Sequence, residues 1–163
     1  MHIKLKNNKF LFGKYKVKCA LGKRGIIKKK LEGDNATPRG SFDIKNLYYR
    51  KDRIRHIKTK LKKIIIKKNM GWCDDPSSQD YNKLITFPFK YGAEKLYIKK
   101  NIYDLIIVLN YNMRPTIKKK GSAIFLHLST KNYTPTKGCV AISKKNMIQL
   151  LKKMNKKNKI TIF

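Results

Sequence analysis

The chain has 163 residues, 41% of them hydrophobic, which is enough to bury the core of one ordinary domain, and we predict a single domain over residues 1–163. No apolar run approaches the ~20 residues that a membrane span needs, so the composition excludes a membrane-spanning protein and a multidomain enzyme. The formal net charge of +32 permits non-specific binding to polyanions, but the lysines are spread along the whole chain instead of forming one basic arm.

In chain order, the hydrophobic pattern predicts many short strands and one late helix. Ser143 is a plausible N-cap, and Met147, Leu150, Leu151 and Met154 recur at helical spacing, which predicts a helix over 143–154. Alternation or β-branched runs predict the strands, and Gly, Pro and Asn predict a loop over 33–40 and a turn-rich segment over 70–82. The predicted strands are 10–20, 26–31, 41–44, 58–68, 96–98, 103–110, 123–128 and 160–163.

Charge and cysteine usage exclude several classes of site. Lysine supplies 35 of the 41 basic residues, and no zinc-finger spacing, helix-turn-helix pattern or aromatic RNA-binding signature accompanies them, so we predict no specific nucleic-acid partner. The three cysteines, Cys19, Cys73 and Cys139, have no CxxC spacing, which argues for reduced thiols and against a zinc site. The first residues lack the apolar stretch of a secretory signal, so we expect a cytoplasmic protein, or a periplasmic or cell-wall one if a signal was lost from the start.

The residues that best fit a chemical role are His127 and Cys139. His127 ends the apolar run that begins at Ala123, and an imidazole at the end of a buried strand needs a polar partner. Cys139 follows Gly138, which lets the backbone approach a substrate closely. A nearby imidazole makes a thiol a usable nucleophile. The pattern therefore indicates a Cys–His acyl-transfer site, with a buried structural cysteine and a satisfied core histidine as the alternative.

The stretch from Gly121 to His127, followed by Pro135-Thr136-Lys137-Gly138-Cys139-Val140, resembles the catalytic motif of the L,D-transpeptidase (YkuD-type) family. The loop over 33–42 resembles that family's Thr-Pro-x-Gly-x-Phe element, and Gly71-Trp72-Cys73-Asp74-Asp75-Pro76 looks like the mark of one subgroup. The chain departs from the family pattern at Lys137, often His, at Ala141, often Arg or Asn, and in a short His-to-Cys spacer. The resemblance implies a mainly β, sandwich-like catalytic domain with one clear helix after the catalytic Cys.

The resemblance also implies a mechanism without metal or cofactor. Cys139 attacks an amide carbonyl to form a thioester, and His127 transfers the protons. The backbone N–H groups of Gly138 and Cys139 are expected to stabilise the oxyanion. We expect the second ring nitrogen of His127 to meet a backbone carbonyl.

Candidate substrate contacts follow from the same family, which acts on peptidoglycan stem peptides carrying an ammonium and a carboxylate. Asp74, Asp75 and Asp80 are expected to hold the ammonium, or else to cap turns. Arg50 or Arg53 is expected to hold the carboxylate through its planar fork, or else to form a structural ion pair. Further candidates lie nearby in the motifs or in the central loops; they are Trp72, Tyr81, Tyr111, Asn112, Thr136 and Lys137.

The function predicted from sequence is cleavage of stem peptides at the bond between the L-centre of a diamino acid and D-alanine. If water accepts the acyl group, the protein is an L,D-carboxypeptidase of peptidoglycan recycling, which the missing signal slightly favours. If an amine accepts it, the protein is an L,D-transpeptidase that forms crosslinks or exchanges D-amino acids. The alternative of another class is a basic binding protein that has lost catalysis, and Cys139 reactivity separates the two.

Overall fold

A computed structural model describes residues 1–28 and 30–163. Over these residues the chain is mainly β with one α-helix, as predicted. No helix in the described part of the chain is both long enough and apolar enough to cross a membrane. The elements are β1 (Ile3–Lys6), β2 (Lys9–Phe12), β3 (Tyr15–Lys18), β4 (Ile26–Ile27), β5 (Thr37–Pro38), β6 (Gly40–Tyr49), β7 (Lys63–Ile65), β8 (Met70–Cys73), β9 (Leu84–Thr86), β10 (Ala93–Lys95), a 3-10 turn (Asn101–Tyr103), β11 (Leu105–Leu109), β12 (Phe125–Leu128), β13 (Val140–Ile142), α1 (Lys144–Lys153) and β14 (Lys159–Ile162).

The ten-residue strand β6 joins two halves of one large sheet, ordered β13-β12-β11-β6-β14-β1-β2-β3. The first residues of β6 pair with β14 and its later residues pair with β11. Side chains from both halves form one buried cluster, so the halves pack against each other as in a sandwich. Members of that cluster include Ile3, Leu5, Phe10, Phe12, Leu47, Ile107, Leu126, Val140 and Ile160.

A second core lies on the opposite face of β11 and β12. All five residues of β11 are buried, and successive side chains of a strand point to opposite faces. Ile107 therefore joins the first cluster, whereas Ile106 and Val108 join Trp72 and Phe125 in the second. Trp72 lies on β8, in the middle of the small sheet β10-β8-β9 that covers this face.

Helix α1 begins and packs as the sequence predicts. The Ser143 side chain accepts a hydrogen bond from the Asn146 N–H at 3.3 Å, which satisfies one of the free amides of the first turn. Met147, Leu150 and Leu151 are buried against the first core. The helix follows β13 directly and contacts β12, the strand that carries His127.

The structure differs from the predicted elements in several places. β1, β9 and β10 form where no strand was predicted, β6 continues from the predicted 41–44 to Tyr49, and β8 occupies the start of the segment 70–82 that was predicted to be turn-rich. The alternating segment 10–20 is a hairpin of β2 and β3, because Gly13, with a φ of +53°, turns the chain back. The strand predicted at 96–98 is wrong: the ladder with β8 ends at Lys95, and the Ile98 carbonyl accepts a hydrogen bond from Arg50 instead. Only β4 forms within 26–31, and residue 29 of that range lies outside the described residues.

Candidate active site

The register of two neighbouring strands places Cys139 and His127 on one face of the sheet. β12 and β13 run parallel, with His127 paired to Ala141. Cys139 lies two residues before Ala141, and residues two apart in an extended chain point to the same side. The ten or so polar residues between the two strands form the loop that brings them together. The thiol and the imidazole consequently open into the same cleft.

The cleft that contains both side chains has a volume of about 690 Å³, within the usual range for a ligand site. Thr136 and Lys137, which are predicted substrate contacts, and Gly138, which is predicted to serve catalysis, line it. Its other lining residues come from distant segments of the chain and include Lys30, Glu32, Asp74, Glu94, Tyr103 and Ser122.

The Cys139 thiol is held as a neutral hydrogen-bond donor. Its Sγ donates to the Ala123 carbonyl oxygen at 3.1 Å and accepts from the Phe125 N–H at 3.3 Å. Within the described part of the chain, the thiol forms no hydrogen bond with His127. Burial, followed by the nearby Glu94 carboxylate, raises the pKa of Cys139 to about 12, against the opposing effect of the Phe125 N–H and Lys30. The resting site at neutral pH therefore contains a thiol, and it must lose its proton before it can attack.

The His127 imidazole is also neutral at rest. Burial lowers the pKa of His127 to about 4, although the backbone carbonyls of Leu128 and Ile102 favour a proton on the ring. Nδ1 lies 2.9 Å from the Leu128 carbonyl oxygen. Because a carbonyl can only accept, this contact favours the neutral tautomer with its proton on Nδ1, in which Nε2 is the basic nitrogen. The structure thus places a backbone carbonyl where the sequence-based mechanism expects one.

The turn before Cys139 depends on Thr136 and Gly138. The Thr136 hydroxyl donates to the Cys139 carbonyl at 2.6 Å and accepts from the Gly138 N–H at 3.1 Å. Gly138 has a φ of +140°, and a methyl group on its Cα would lie 2.8 Å from the Ala36 carbonyl oxygen. The Gly138 N–H is therefore already used inside the turn, which leaves the Cys139 N–H as the candidate oxyanion donor of the two.

Tyr103 and Glu94 belong to the site although the sequence reasoning did not select them as site residues. The Tyr103 hydroxyl donates to the Glu94 carboxylate, and its ring meets the His127 ring edge-on, with centroids 5.2 Å apart. Burial raises the pKa of Glu94, and the Tyr103 hydrogen bond opposes that rise. Glu94 and Tyr103 are separated in sequence from Cys139 by more than thirty residues, so no local motif marks them.

The acidic residues near the cleft divide into two roles. Asp74 lines the cleft, and burial followed by its acidic neighbours Glu32 and Asp75 raises its pKa. Asp75 instead accepts from the N–H groups of Ser77 and Gly92, as a turn-capping residue does. Asp80 forms a surface ion pair with Lys83.

The two arginines lie outside the residues that line the cleft. The Arg50 guanidinium forms a forked pair with Asp52 at 2.7 and 2.9 Å and stacks on the Tyr97 ring. Arg53 pairs with Asp104 at 2.9 Å. Both therefore form the structural ion pairs that the sequence left as the alternative to a carboxylate site.

Four further candidates support the cleft from behind or beside it. Trp72 is buried, and its indole N–H donates to the Asn82 side-chain oxygen, which also accepts from the N–H of Ala123. The Tyr81 hydroxyl donates to Glu32. The other two hold the loop before Gly121: Asn112 contacts the backbone of Ile117 and Gly121, and the Tyr111 hydroxyl donates to the Lys120 carbonyl.

Comparison with known families supplies one match. The family model YkuD, the L,D-transpeptidase catalytic domain, matches residues 3–162. That range includes both Cys139 and His127 and almost all of the fold described above. No curated protein is similar enough to count as a match. The subgroup assignment based on residues 71–76 stays a prediction.

Proposed function

This chain belongs to the L,D-transpeptidase (YkuD) catalytic-domain family, and we propose that it cleaves peptidoglycan stem peptides through a thioester on Cys139. The bond attacked is the one between the L-centre of a diamino acid and a terminal D-alanine. The observation that carries the proposal is that Cys139 and His127 occupy one face of β12 and β13 and open into the same cleft.

In the first step, the Cys139 thiol turns from the Ala123 carbonyl to His127 and gives its proton to Nε2. Sγ then forms a bond to the amide carbon, whose oxygen becomes an oxyanion near the Cys139 N–H. The carbon–nitrogen bond breaks as His127 returns the proton to the leaving amine, and D-alanine departs. A thioester remains on Cys139, and His127 is again neutral and ready to deprotonate the acceptor.

For the acceptor we propose water, which makes the protein an L,D-carboxypeptidase. Water attacks the thioester, His127 takes its proton, and the carbon–sulfur bond breaks to give the shortened peptide and the free thiol. A transpeptidase that forms crosslinks must hold two stem peptides at once, whereas hydrolysis requires room for one. A volume of about 690 Å³ is typical of a site for a single ligand, which favours hydrolysis over crosslinking.

For the ammonium of the diamino acid we propose Asp74 and Glu32 as partners. Both line the cleft, and Glu94 adds a third carboxylate, so three of the nine acidic residues of a strongly basic chain face one cavity. Burial is the main cause of the raised Asp74 pKa, and a cationic side chain in the cleft relieves the repulsion from Glu32 and Asp75 that adds to it.

The test is mass spectrometry of a purified tetrapeptide muropeptide incubated with the protein, with and without excess D-amino acid. Loss of D-alanine, together with a transient acyl adduct on Cys139, is expected from the wild type and is expected to be absent from Cys139→Ala. Exchange of D-alanine for the added amino acid would mean that the reaction is transpeptidation and not hydrolysis. No change of the peptide and no adduct would favour the binding-protein alternative.

A further inference from the structure

Of the lysines that the structure describes, Lys30 is the one that is buried, with 4% of its surface exposed. Burial of an ammonium is costly, and lysines are rarely buried without a partner and a reason. The other described lysines lie at or near the surface, as expected for a chain whose lysines are spread along its whole length. Lys30 instead lines the cleft that contains Cys139 and His127.

The Lys30 ammonium is fixed by two hydrogen bonds. Nζ donates to the Asp34 carboxylate at 2.6 Å and to the Leu31 carbonyl at 3.3 Å. An ammonium has three hydrogens, so one donor remains beyond these two partners. Burial alone would raise the pKa of Asp34, but the bonds from Lys30 and from the N–H groups of Leu31 and Ala36 outweigh it and lower that pKa.

Two glycines leave the space through which the Lys30 side chain reaches the turn before Cys139. A methyl group on Gly121 would lie 3.0–3.1 Å from the side-chain carbons of Lys30, and one on Gly138 would lie 3.4 Å from its Nζ. The ammonium is consequently packed against the residue that precedes Cys139. Because the Gly138 N–H already donates to Thr136, this turn offers fewer backbone donors to a developing negative charge.

We propose that Lys30 supplies the positive charge that stabilises the anions of the reaction, first the Cys139 thiolate and then the oxyanion of the tetrahedral intermediate. The role in turnover rests on the proposed function, whereas the role toward the thiolate does not. Lys30 influences the reaction through the effect of its positive charge on Cys139. Because it acts through another residue, it is a positioning residue. Asp34 holds the ammonium in place and partly neutralises it.

The charged and titratable groups around the thiol act in opposite directions. The Glu94 carboxylate, from β10, raises the Cys139 pKa, and Lys30, from the loop after β4, lowers it. Tyr103 lies near the thiol and His127 lines the same cleft, and both are neutral at pH 7 because burial opposes their charged forms. The removal of Lys30 therefore leaves the Phe125 N–H to oppose Glu94 without the ammonium, while the removal of the Asp34 charge leaves the Lys30 charge no longer partly neutralised.

The experiment measures the rate at which iodoacetamide alkylates Cys139 between pH 7 and 10, followed by mass spectrometry of the Cys139 peptide so that Cys19 and Cys73 do not interfere. Lys30→Met is expected to slow alkylation roughly 10-fold, and Lys30→Arg to stay within about 3-fold of the wild type. Asp34→Asn is expected to speed it about 3-fold. Lys145→Met, on the exposed face of α1, is the control for the loss of one positive charge.

The opposite signs of the two variants separate charge from structure, because a merely structural ion pair would change the rate in the same direction when either partner is lost. Equal rates for Lys30→Met and wild type, or a change of the same sign for Lys30→Met and Asp34→Asn, would overturn the proposal. If Lys30→Met does not fold, Asp34→Asn and Lys30→Arg still decide it. If the wild type is alkylated but releases no D-alanine, the proposed function fails and the alkylation series still tests Lys30.

Discussion

The Tyr103 and His127 rings pack in a T-shaped arrangement, with their centroids 5.2 Å apart and their planes nearly perpendicular at 86°. Together with the Leu128 carbonyl at Nδ1, this contact fixes the plane of the imidazole. A base that is fixed in one tautomer and one orientation does not have to reorganise when the substrate arrives. The resting site therefore holds a preoriented neutral imidazole, and only the thiol has to turn, away from the Ala123 carbonyl.

Replacement of His127 by Gln is expected to remove the base and to keep a polar side chain of similar size. D-alanine release from a tetrapeptide should fall about 100- to 10,000-fold, which is the usual contribution of a general base. The measurement is the initial rate of D-alanine release at pH 7.5, with unfolding by urea as a check that the variant is folded. A folded variant that retains the wild-type rate would exclude His127 as the base.

The low pKa of His127 predicts a stability that falls in mild acid. The pKa is about 4 in the folded chain against an ordinary value of 6.5, so the unfolded state takes up this proton first as the pH falls. The stabilisation is complete above pH 6.5 and is lost as the pH falls toward 4. Between pH 7.5 and 4.5 the wild type should lose about 2.5 kcal/mol more free energy of unfolding than His127→Gln. Urea unfolding at both pH values measures the difference, and equal losses would mean that His127 is not buried as a neutral ring.

The Tyr103 hydroxyl and the Tyr103 ring are expected to have separable effects. Tyr103→Phe keeps the ring against His127 but leaves the half-buried Glu94 carboxylate without its donor, which should cost about 1–2 kcal/mol of stability with little change in turnover. Tyr103→Leu removes the ring contact and should lower kcat about 10-fold through misplacement of the imidazole. Urea unfolding and steady-state kinetics on both variants check this. If Tyr103→Phe loses as much kcat as Tyr103→Leu, the hydroxyl and not the ring acts on the site.

The predicted charge selectivity of the cleft depends on Asp74. Asp74→Asn should raise the KM for a stem peptide with a free ammonium about 10-fold, because one charge-assisted contact is worth about 1.5 kcal/mol or more. Asp80→Asn removes an equal charge from the surface pair with Lys83 and should leave KM unchanged. The same shift in both variants would mean that Asp74 acts only through the overall charge of the protein.

The parts of the site that could be predicted from sequence are those that depend on residues close together in the chain. The Gly138-Cys139 turn, His127 at a strand end and the Ser143 cap each depend on neighbours within a few residues. Glu94 reaches the cleft through the pairing of β10 with β8, whereas Lys30 lies in a loop and Tyr103 in the 3-10 turn, both far in sequence from Cys139. One lysine in so basic a sequence carries no signal of its own. The Arg50 pair with Asp52 joins residues two positions apart, which is why an ion pair stayed open as its alternative, whereas its contact with the Ile98 carbonyl joins residues 48 positions apart.

Gly138 is the position where backbone conformation and activity are expected to be linked most closely. Gly138→Ala should lose about 2–4 kcal/mol of stability and most of its turnover, because a side chain at a φ of +140° is strained and its methyl group would lie 2.8 Å from the Ala36 carbonyl. Gly25→Ala is the matched control: Gly25 also has a positive φ, +75°, but nothing lies within 4 Å of the added methyl, so only about 1–2 kcal/mol should be lost. Urea unfolding and D-alanine release on both variants separate the cost of backbone strain from that of the clash beside Cys139. Equal stability losses with equal residual activity would show that the close approach of Gly138 to Ala36 does not position the nucleophile.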